Sequence, residues 1–129
     1  MQKTLLKTGR VVFPNNLKIT KKINIGIVGS GKMAQNYINV INSFNHNISA
    51  IISKSNNKNA FKLAKKNKAN LYSNYNEAII SENSIDAWII CPRWNEINKC
   101  LKYFIKVNKP ILVEKSIAVN SKDLLNFYR

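Results

Sequence analysis

The chain has 129 residues, 45% of them hydrophobic, which is typical of one globular domain with a single core. No apolar run approaches the roughly 18 residues that span a membrane, and residues 1–13 lack the long apolar stretch of a secretory signal. The net charge of +15 favours anionic partners, and Cys91, Cys100 and the lone His46 show no metal-ligand or disulfide spacing, so we expect no metal and a reducing, cytoplasmic location.

Residues 1–22 differ in pattern from the rest of the chain. Their apolar pairs and the turn signal at Pro14-Asn15-Asn16 fit a short hairpin, an arm or a frayed leader. From residue 23 onward we predict strands over 23–28, 48–52, 69–72, 87–91 and 110–113, and helices over 32–43, 58–66, 75–80, 94–107 and from Ser121. Because strands alternate with helices, the sequence predicts an α/β fold, a doubly wound parallel sheet of the Rossmann type in one domain over residues 23–129.

The helix stripes predict which side chains face the sheet. In the first helix, Met33, Tyr37, Ile41 and Phe44 share one stripe, with Ala34 and Ile38 beside it. The inward positions predicted for the later helices are Ala60, Leu63, Ala64, Ile97, Leu101, Phe104 and Ile105. Asp123 is placed for a capping interaction at the start of the last helix.

The first strand leads straight into a glycine-rich turn, Gly29-x-Gly31-x-x-Ala34. Gly29 would let the chain turn sharply, Gly31 would let a pyrophosphate approach the backbone, and Ala34 would let the helix pack close to the strand. The N–H groups and the positive dipole end of that helix would then face the phosphates. This order of strand, turn and helix is the dinucleotide-binding fingerprint, and its cofactor-binding candidates are Gly29, Ser30, Gly31, Lys32 and Met33.

A second motif overlaps the first. Gly26-x-x-x-x-Gly31-Lys32 fits the start of a P-loop, in which a Ser or Thr follows the lysine to hold Mg²⁺. Met33 stands at that position here, and Gly26 lies inside the apolar strand. The sequence therefore favours dinucleotide binding over phosphoryl transfer.

The segment after the second strand, Ser53-Lys54-Ser55, bears on the choice of cofactor. Rossmann domains that prefer NAD place an acid there, against the ribose 2′-hydroxyl. A carboxylate would repel a 2′-phosphate, whereas hydroxyls and an ammonium would bind it. We therefore expect NADP(H) to be favoured over NAD(H); the alternative is a polar loop that contacts nothing.

Two further strand ends carry candidate residues. Cys91-Pro92-Arg93-Trp94 follows the fourth strand, where Pro92 stops the strand and Trp94 would either stack on a ring or pack its helix against the sheet. Glu114-Lys115 follows the fifth strand, where the lysine would either assist proton transfer to a substrate oxygen or form a surface ion pair with the glutamate.

Residues Ile23 to Val119 resemble the N-terminal Rossmann domain of the glucose–fructose oxidoreductase, inositol dehydrogenase and MocA-like family (Gfo/Idh/MocA). Beyond the glycine turn, Ser53-Lys54-Ser55 resembles the family's Ser-Arg-Ser variant, and Cys91-Pro92 matches its Thr-Pro. Ile85-Asp86-Ala87 resembles the family's Val-Asp-Ala, and residues 109–115 resemble its Gly-Lys-x-Val-x-x-Glu-Lys-Pro run.

The resemblance implies an NAD(P)-dependent oxidoreductase that acts on a sugar, a sugar derivative or a cyclitol by hydride transfer. It implies Lys115 as the catalytic lysine and a cofactor site lined by Gly29, Gly31, Ser53, Lys54, Pro92 and Glu114. The sequence departs from the family at Glu96, where the family has His, and at Ser116, where it has Pro. Family members continue beyond Arg129 into a substrate-binding C-terminal domain, so we expect a truncated chain, or half of a split enzyme that a partner chain completes, inactive alone.

Two other functions remain open. A non-catalytic dinucleotide-binding or sensing module would bind cofactor without turnover. A nucleic-acid-binding protein would use the positive charge, but 18 Lys and 21 Asn against three Arg fit A/T-rich codon usage, and the lysines are scattered. The densest group fits the solvated face of a helix: Lys62, Lys65, Lys66 and Lys68.

Overall fold

The computed structural model describes residues 4–5, 11–12, 21–54, 57–115, 118 and 120–125. The strands are β1 (Thr4–Leu5), β2 (Val11–Val12), β3 (Asn24–Val28), β4 (Asn47–Ile52), β5 (Asn70–Tyr72), β6 (Ala87–Ile90) and β7 (Ile111–Val113). The helices are α1 (Lys32–Ser43), α2 (Lys58–Asn67), α3 (Tyr75–Ser81), α4 (Trp94–Phe104) and α5 (Ser121–Leu125). From residue 23 onward the predicted bounds are confirmed to within one residue, except at the end of α4.

Strands β3 to β7 form one sheet in which all neighbours run parallel, in the order β5-β4-β3-β6-β7. The first strand of this sheet, β3, lies in its middle. β4 and β5 follow on one side of β3, and the chain then returns to add β6 and β7 on the other side. This is the strand order of a doubly wound Rossmann sheet, so the predicted fold class is confirmed. The order reverses between β3 and β6, and ligands of such sheets bind outside the carboxyl ends of the strands at that point.

The start of the chain contains a small separate pairing. β1 and β2 run antiparallel, with Thr4 opposite Val12 and Leu5 opposite Val11. This pairing favours the hairpin among the three interpretations of residues 1–22. The turn predicted at Pro14-Asn15-Asn16 lies outside the described residues.

The two faces of the sheet bury separate sets of side chains, because successive residues of a strand point to opposite faces. Ile25 and Ile27 of β3 pack with α1 and α2, whereas Val28 packs with α3 and α4. β6 is covered on both faces: its residues 88–90 are no more than 8% exposed, as its continuous apolar run predicts. Among the described helices, none is both long and apolar enough to cross a membrane.

Gly26 shows how tightly one of these faces is packed. A Cβ built on Gly26 would collide with the ring of Trp88 and would lie 2.9 Å from Cδ1 of Ile85. Trp88 is 1% exposed and meets Phe104 edge to face, with ring centroids 4.9 Å apart. Gly26 is therefore a packing glycine inside β3 and not part of a phosphate loop, which removes the P-loop interpretation.

Two details of the predicted helices are wrong. Ile105, predicted to face inward, is 52% exposed, because α4 ends at Phe104. The buried stripe of α1 is Ala34, Ile38 and Ile41, while Met33 and Phe44 are exposed. Ala34, the smallest residue of the helix, is fully buried against the sheet, as the glycine-turn motif predicts. By contrast, the capping interaction predicted for Asp123 is confirmed, since its N–H donates to Oδ1 of Asn120 at 2.9 Å.

Candidate functional site

The predicted site residues lie at the carboxyl ends of the strands. Each loop begins there with a residue whose backbone N–H forms a hydrogen bond to a neighbouring strand. The first residue after each of four strands donates its N–H to the carbonyl of a neighbouring strand: Gly29 to Ile52 (2.8 Å), Ser53 to Tyr72 (2.9 Å), Cys91 to Val28 (2.9 Å) and Glu114 to Ile90 (3.0 Å). The four loops therefore start from fixed points along one edge.

Gly29 has two reasons to be glycine. Its φ of +120° lies in a region that L side chains rarely adopt. A Cβ there would also lie 2.5 Å from the carbonyl oxygen of Cys91 and 3.2 Å from the nitrogen of Pro92. The sharp turn expected from the sequence is confirmed, and the structure adds that the peptide after β6 occupies the space beside it.

Gly31 has a different environment. It is the N-cap of α1, with an ordinary φ of −82°, and a Cβ built on it would meet nothing within 4 Å. Within the described residues, no side-chain hydrogen bond caps the helix; its first turn contains no acid, and Lys32 and Met33 are exposed there. The first turn of α1 therefore lies at an exposed part of the surface, with N–H groups that need acceptors, which fits an anion such as a pyrophosphate.

Hydroxyl and amide groups connect the glycine turn to the end of β4. Oγ of Ser30 lies 3.1 Å from Oγ of Ser53, and Nδ2 of Asn57 donates to the Ser30 hydroxyl at 3.2 Å. Oδ1 of Asn57 accepts from the N–H of Ala60 at 2.7 Å and so caps α2. The sequence analysis missed Asn57, although an Asn directly before an amphipathic helix signals an N-cap.

A cavity of ≈ 370 Å³ lies beside this group. It is lined by Ser53, Lys54, Asn57, Ala60, Leu71, Tyr72 and Ser73. The hydroxyls and the amide give it a polar wall near the end of β4, the strand end that contacts the adenosine ribose in Rossmann domains. Ser55, the third residue of the predicted motif, lies outside the described residues.

The ammonium of Lys54 is directed toward α3 and α4. Its Nζ lies 4.7 Å from the centre of the Tyr75 ring and 3.9 Å from Oε2 of Glu96. A cation at this distance from a ring face is attracted to it. Oε1 of Glu96 also pairs with Lys99 at 3.3 Å. The side chain of Lys54 is therefore held by contacts within the protein, and its role toward a cofactor stays a prediction.

The residues after β6 divide between core and surface. The Cys91 thiol is buried with the α1 side of the core, and burial, followed by the nearby Glu114 carboxylate, raises its pKa to about 12. This leaves the Cys91 backbone beside Gly29. Trp94 is 64% exposed at the start of α4. It does not pack the helix against the sheet, so the packing interpretation of Trp94 is wrong.

Glu114 and Lys115 point to different surroundings. The hydroxyl of Tyr37 donates to Oε1 of Glu114 at 2.5 Å, and this bond raises the pKa of Tyr37 to about 12. Lys115 is exposed, and no ion pair found in the described part of the chain joins it to Glu114, which removes the ion-pair interpretation. The sequence offers no signal for the contact between Tyr37 and Glu114, because only the order of the strands in the sheet brings the two residues together.

The structure thus brings together Gly29, Ser30, Gly31 and Ser53, with the Cys91–Pro92 peptide beside Gly29. Within the described residues, neither a hydrogen bond nor an ion pair connects Lys115 to another predicted site residue. Ser116 lies outside the described residues.

Three solved structures with the same fold contain a bound nicotinamide adenine dinucleotide. The WlbA dehydrogenase from Bordetella pertussis, in complex with NADH and UDP-GlcNAcA, is 18% identical, with a TM-score of 0.74 over 84% of this chain and 34% of that one. Myo-inositol dehydrogenase from Lactobacillus casei, in complex with NAD(H) and myo-inositol, is 15% identical, with a TM-score of 0.75 over 84% and 32%. GenD2 from gentamicin A biosynthesis, in complex with NAD, is 14% identical, with a TM-score of 0.77 over 89% and 33%.

The chain spans about a third of the length of these neighbours. No curated protein sequence matches it. Residues 23–129 match the Gfo/Idh/MocA family, described as an oxidoreductase family with an NAD-binding Rossmann fold. The resemblance stated from the motifs is therefore confirmed: the chain belongs to the Gfo/Idh/MocA oxidoreductase family, and residues 23–129 are its NAD-binding Rossmann domain.

Proposed function

We propose that this chain binds a nicotinamide adenine dinucleotide along the carboxyl edge of the sheet for hydride transfer to or from a sugar, a sugar derivative or a cyclitol. The turn at Gly29–Gly31 and the first turn of α1 would hold the pyrophosphate, with Lys32 and Met33 at its border. Ser53 and Lys54 would contact the adenosine ribose. Pro92, Trp94, Glu114 and the backbone of Cys91 would line the rest of the crevice.

The observation that carries this proposal is the open space at Gly31. Two of the three glycines in this region, Gly26 and Gly29, have neighbours that leave no room for a Cβ. Gly31 has no such neighbour and no positive φ, so packing does not require glycine there. A ligand that must approach the backbone of an uncapped helix N-terminus gives this position a reason to be glycine.

We further propose that NADP(H) is favoured over NAD(H). Ser53 stands where NAD-preferring domains carry an acid, and its hydroxyl lies beside the Ser30 hydroxyl, which accepts from the Asn57 amide next to the cavity. Lys54 adds a half-exposed positive charge at the same strand end. Hydroxyl donors and a cation suit a 2′-phosphate, which a carboxylate would repel.

The catalytic role belongs to Lys115 in this proposal. The bound nicotinamide supplies or accepts the hydride. The Lys115 ammonium would give a proton to the carbonyl oxygen of the substrate during reduction, and the neutral amine would take the hydroxyl proton during oxidation. Lys115 is exposed at the end of β7, so a substrate and a further domain, on this chain or on a partner chain, can reach it. The two free, buried thiols suit a reducing compartment such as the cytoplasm.

The test is a titration of the purified chain with NADPH and NADH, followed by nicotinamide fluorescence, beside the variant Gly31→Val. We expect saturable binding of both cofactors, tighter for NADPH, and loss of binding in the variant, because a branched side chain would occupy the place of the pyrophosphate. Circular dichroism checks that the variant is folded. Unchanged affinity in folded Gly31→Val would contradict the phosphate-turn assignment, and wild-type chain that binds neither cofactor would refute the function.

A further inference from the structure

The ammonium of Lys54, at the end of β4, forms an ion pair with a carboxylate of the protein itself. The Lys54 ammonium lies 3.9 Å from Oε2 of Glu96, which belongs to the first turn of α4. On its other side it lies over the ring of Tyr75. The backbone of Lys54 stands at the ribose end of the site, but its charge is directed across the crevice toward α3 and α4.

We propose that Glu96 limits the discrimination between NADP(H) and NAD(H) by competing with the ribose 2′-phosphate for the ammonium of Lys54. This inference rests on the proposed function, in which Lys54 contacts that phosphate. Glu96 is thus a positioning residue that acts through Lys54. Its effect is confined to cofactors that carry the 2′-phosphate, because a 2′-hydroxyl needs no cation.

The pair is weak enough to be broken by a ligand. The side chain of Lys54 is 53% exposed and that of Glu96 29%, and ion pairs of this kind change an equilibrium constant by about fivefold at most. The four-carbon stem of a lysine is flexible, so its ammonium can move to a phosphate without a change in the backbone. A phosphate monoester carries up to two negative charges and is the stronger partner.

Glu96 stays in place when Lys54 leaves. Its second oxygen, Oε1, also pairs with Lys99, one turn further along α4, at 3.3 Å. The carboxylate therefore keeps a cation after losing Lys54, and its charge at the N-terminal turn of α4 is favourable in any case. Because Glu96 remains fixed and charged, every molecule of NADP(H) that binds must compete with it.

The test compares dissociation constants for NADPH and NADH in the wild-type chain and in Glu96→Gln. We expect NADPH to bind about twofold to fivefold more tightly in the variant, with NADH affinity unchanged. Glu77→Gln is the matched control, since Glu77 is an exposed acid in the first turn of α3 and its replacement changes the net charge equally. If the ratio of the dissociation constants for NADPH and NADH is the same in Glu96→Gln as in Glu77→Gln, the inference is overturned.

A double-mutant cycle shows whether Glu96 acts through the lysine. In a Lys54→Gln background, Glu96→Gln should leave the NADPH-to-NADH ratio unchanged, because no ammonium remains to be released. A gain for NADPH that persists undiminished in this background would overturn the competition for Lys54. If the wild-type chain binds neither cofactor, the proposed function fails and this inference fails with it. If the chain binds both cofactors and Glu96→Gln leaves the ratio of their dissociation constants unchanged, only this inference fails.

Discussion

The phenolic oxygen of Tyr37 lies 2.5 Å from Oε1 of Glu114, although the two residues are 77 positions apart in the chain. Tyr37 belongs to α1, the helix that follows the glycine turn, and Glu114 is the first residue after β7. The hydrogen bond therefore connects the helix behind the candidate phosphate site to the loop that contains Lys115. Because β7 is the last strand of the sheet, this bond helps to hold that strand end against the body of the domain.

The first prediction concerns this bond. Tyr37→Phe should lower the free energy of unfolding by about 1.5–3 kcal/mol, the usual contribution of a hydrogen bond to a charged group. Urea denaturation at neutral pH measures the change. Tyr103→Phe is the control, since Tyr103 is 42% exposed and contacts Tyr75 through its ring, which the substitution keeps. Equal losses in both variants would show that the Glu114 bond contributes nothing specific.

The Tyr37–Glu114 pair also marks a limit of sequence analysis. Apolar periodicity is local, so it predicted every strand and helix of the sheet from residue 23 onward, and the turn chemistry predicted Gly29. A contact between residues of α1 and the end of β7 depends on the order of all the strands between them. The contact between Lys54 and the ring of Tyr75 could not be predicted for the same reason, since α2 and β5 separate the two residues in the chain.

Other errors of the sequence analysis have equally specific causes. Ile105 continues the apolar stripe of α4, but the helix ends one residue earlier, and periodicity carries no information about that end. Trp94 has the size of a core residue, yet it occupies the first position of α4 at the surface. Burial depends on where a helix packs on the sheet, and the size and polarity of a single residue give no information about that position.

The second prediction concerns the packing glycine in β3. Gly26→Ala should destabilise the fold by about 1–3 kcal/mol, because the added methyl group would overlap the Trp88 ring. Gly31→Ser is the matched control: its Cβ meets nothing, and serine is a good N-cap residue. Thermal unfolding of both variants measures the difference. An unchanged midpoint in Gly26→Ala would mean that Trp88 can move aside.

The third prediction concerns the charge at the end of β4. Lys54→Asp should weaken NADPH binding about tenfold or more and NADH binding much less, because the new carboxylate would repel the 2′-phosphate. Fluorescence titration at two salt concentrations measures both affinities. If the two cofactors lose affinity equally, Lys54 is not near the 2′-phosphate.

The fourth prediction concerns the catalytic candidate. Lys115→Ala should leave the affinity for either cofactor within about twofold of wild type and should abolish turnover once the chain is combined with a substrate-binding domain. The reason is that a proton donor acts on the reaction and not on the dinucleotide. Steady-state assays with sugars and cyclitols measure turnover, and retained activity would remove the catalytic role.

The fifth prediction concerns the buried thiols. Burial raises the pKa of Cys91 and of Cys100 from an ordinary value of 9.0 to about 12. Since the folded pKa lies above the unfolded one, the contribution of these thiols to the free energy of unfolding is constant below about pH 8.5. It falls between about pH 9 and 12, as the unfolded chain loses protons that the folded chain keeps. Each thiol contributes a slope of about 1.4 kcal/mol per pH unit in that range.

Thiol labelling at pH 8 checks the same groups directly. Both cysteines should react slowly in the folded chain and at the rate of a free thiol in denaturant, because the thiolate is the reactive form. Fast labelling of the folded chain at either site would contradict the buried placement of that side chain.

The backbone bonds that begin each loop have an evolutionary consequence. Because the N–H of Ser53 donates to the carbonyl of Tyr72, a bond that does not involve the side chain of Ser53 fixes the main chain at this position. A point mutation at such a position can exchange a hydroxyl for a carboxylate while the sheet keeps its shape. Cofactor choice in a domain of this kind can therefore drift between lineages through single codon changes, without any compensating change in the core.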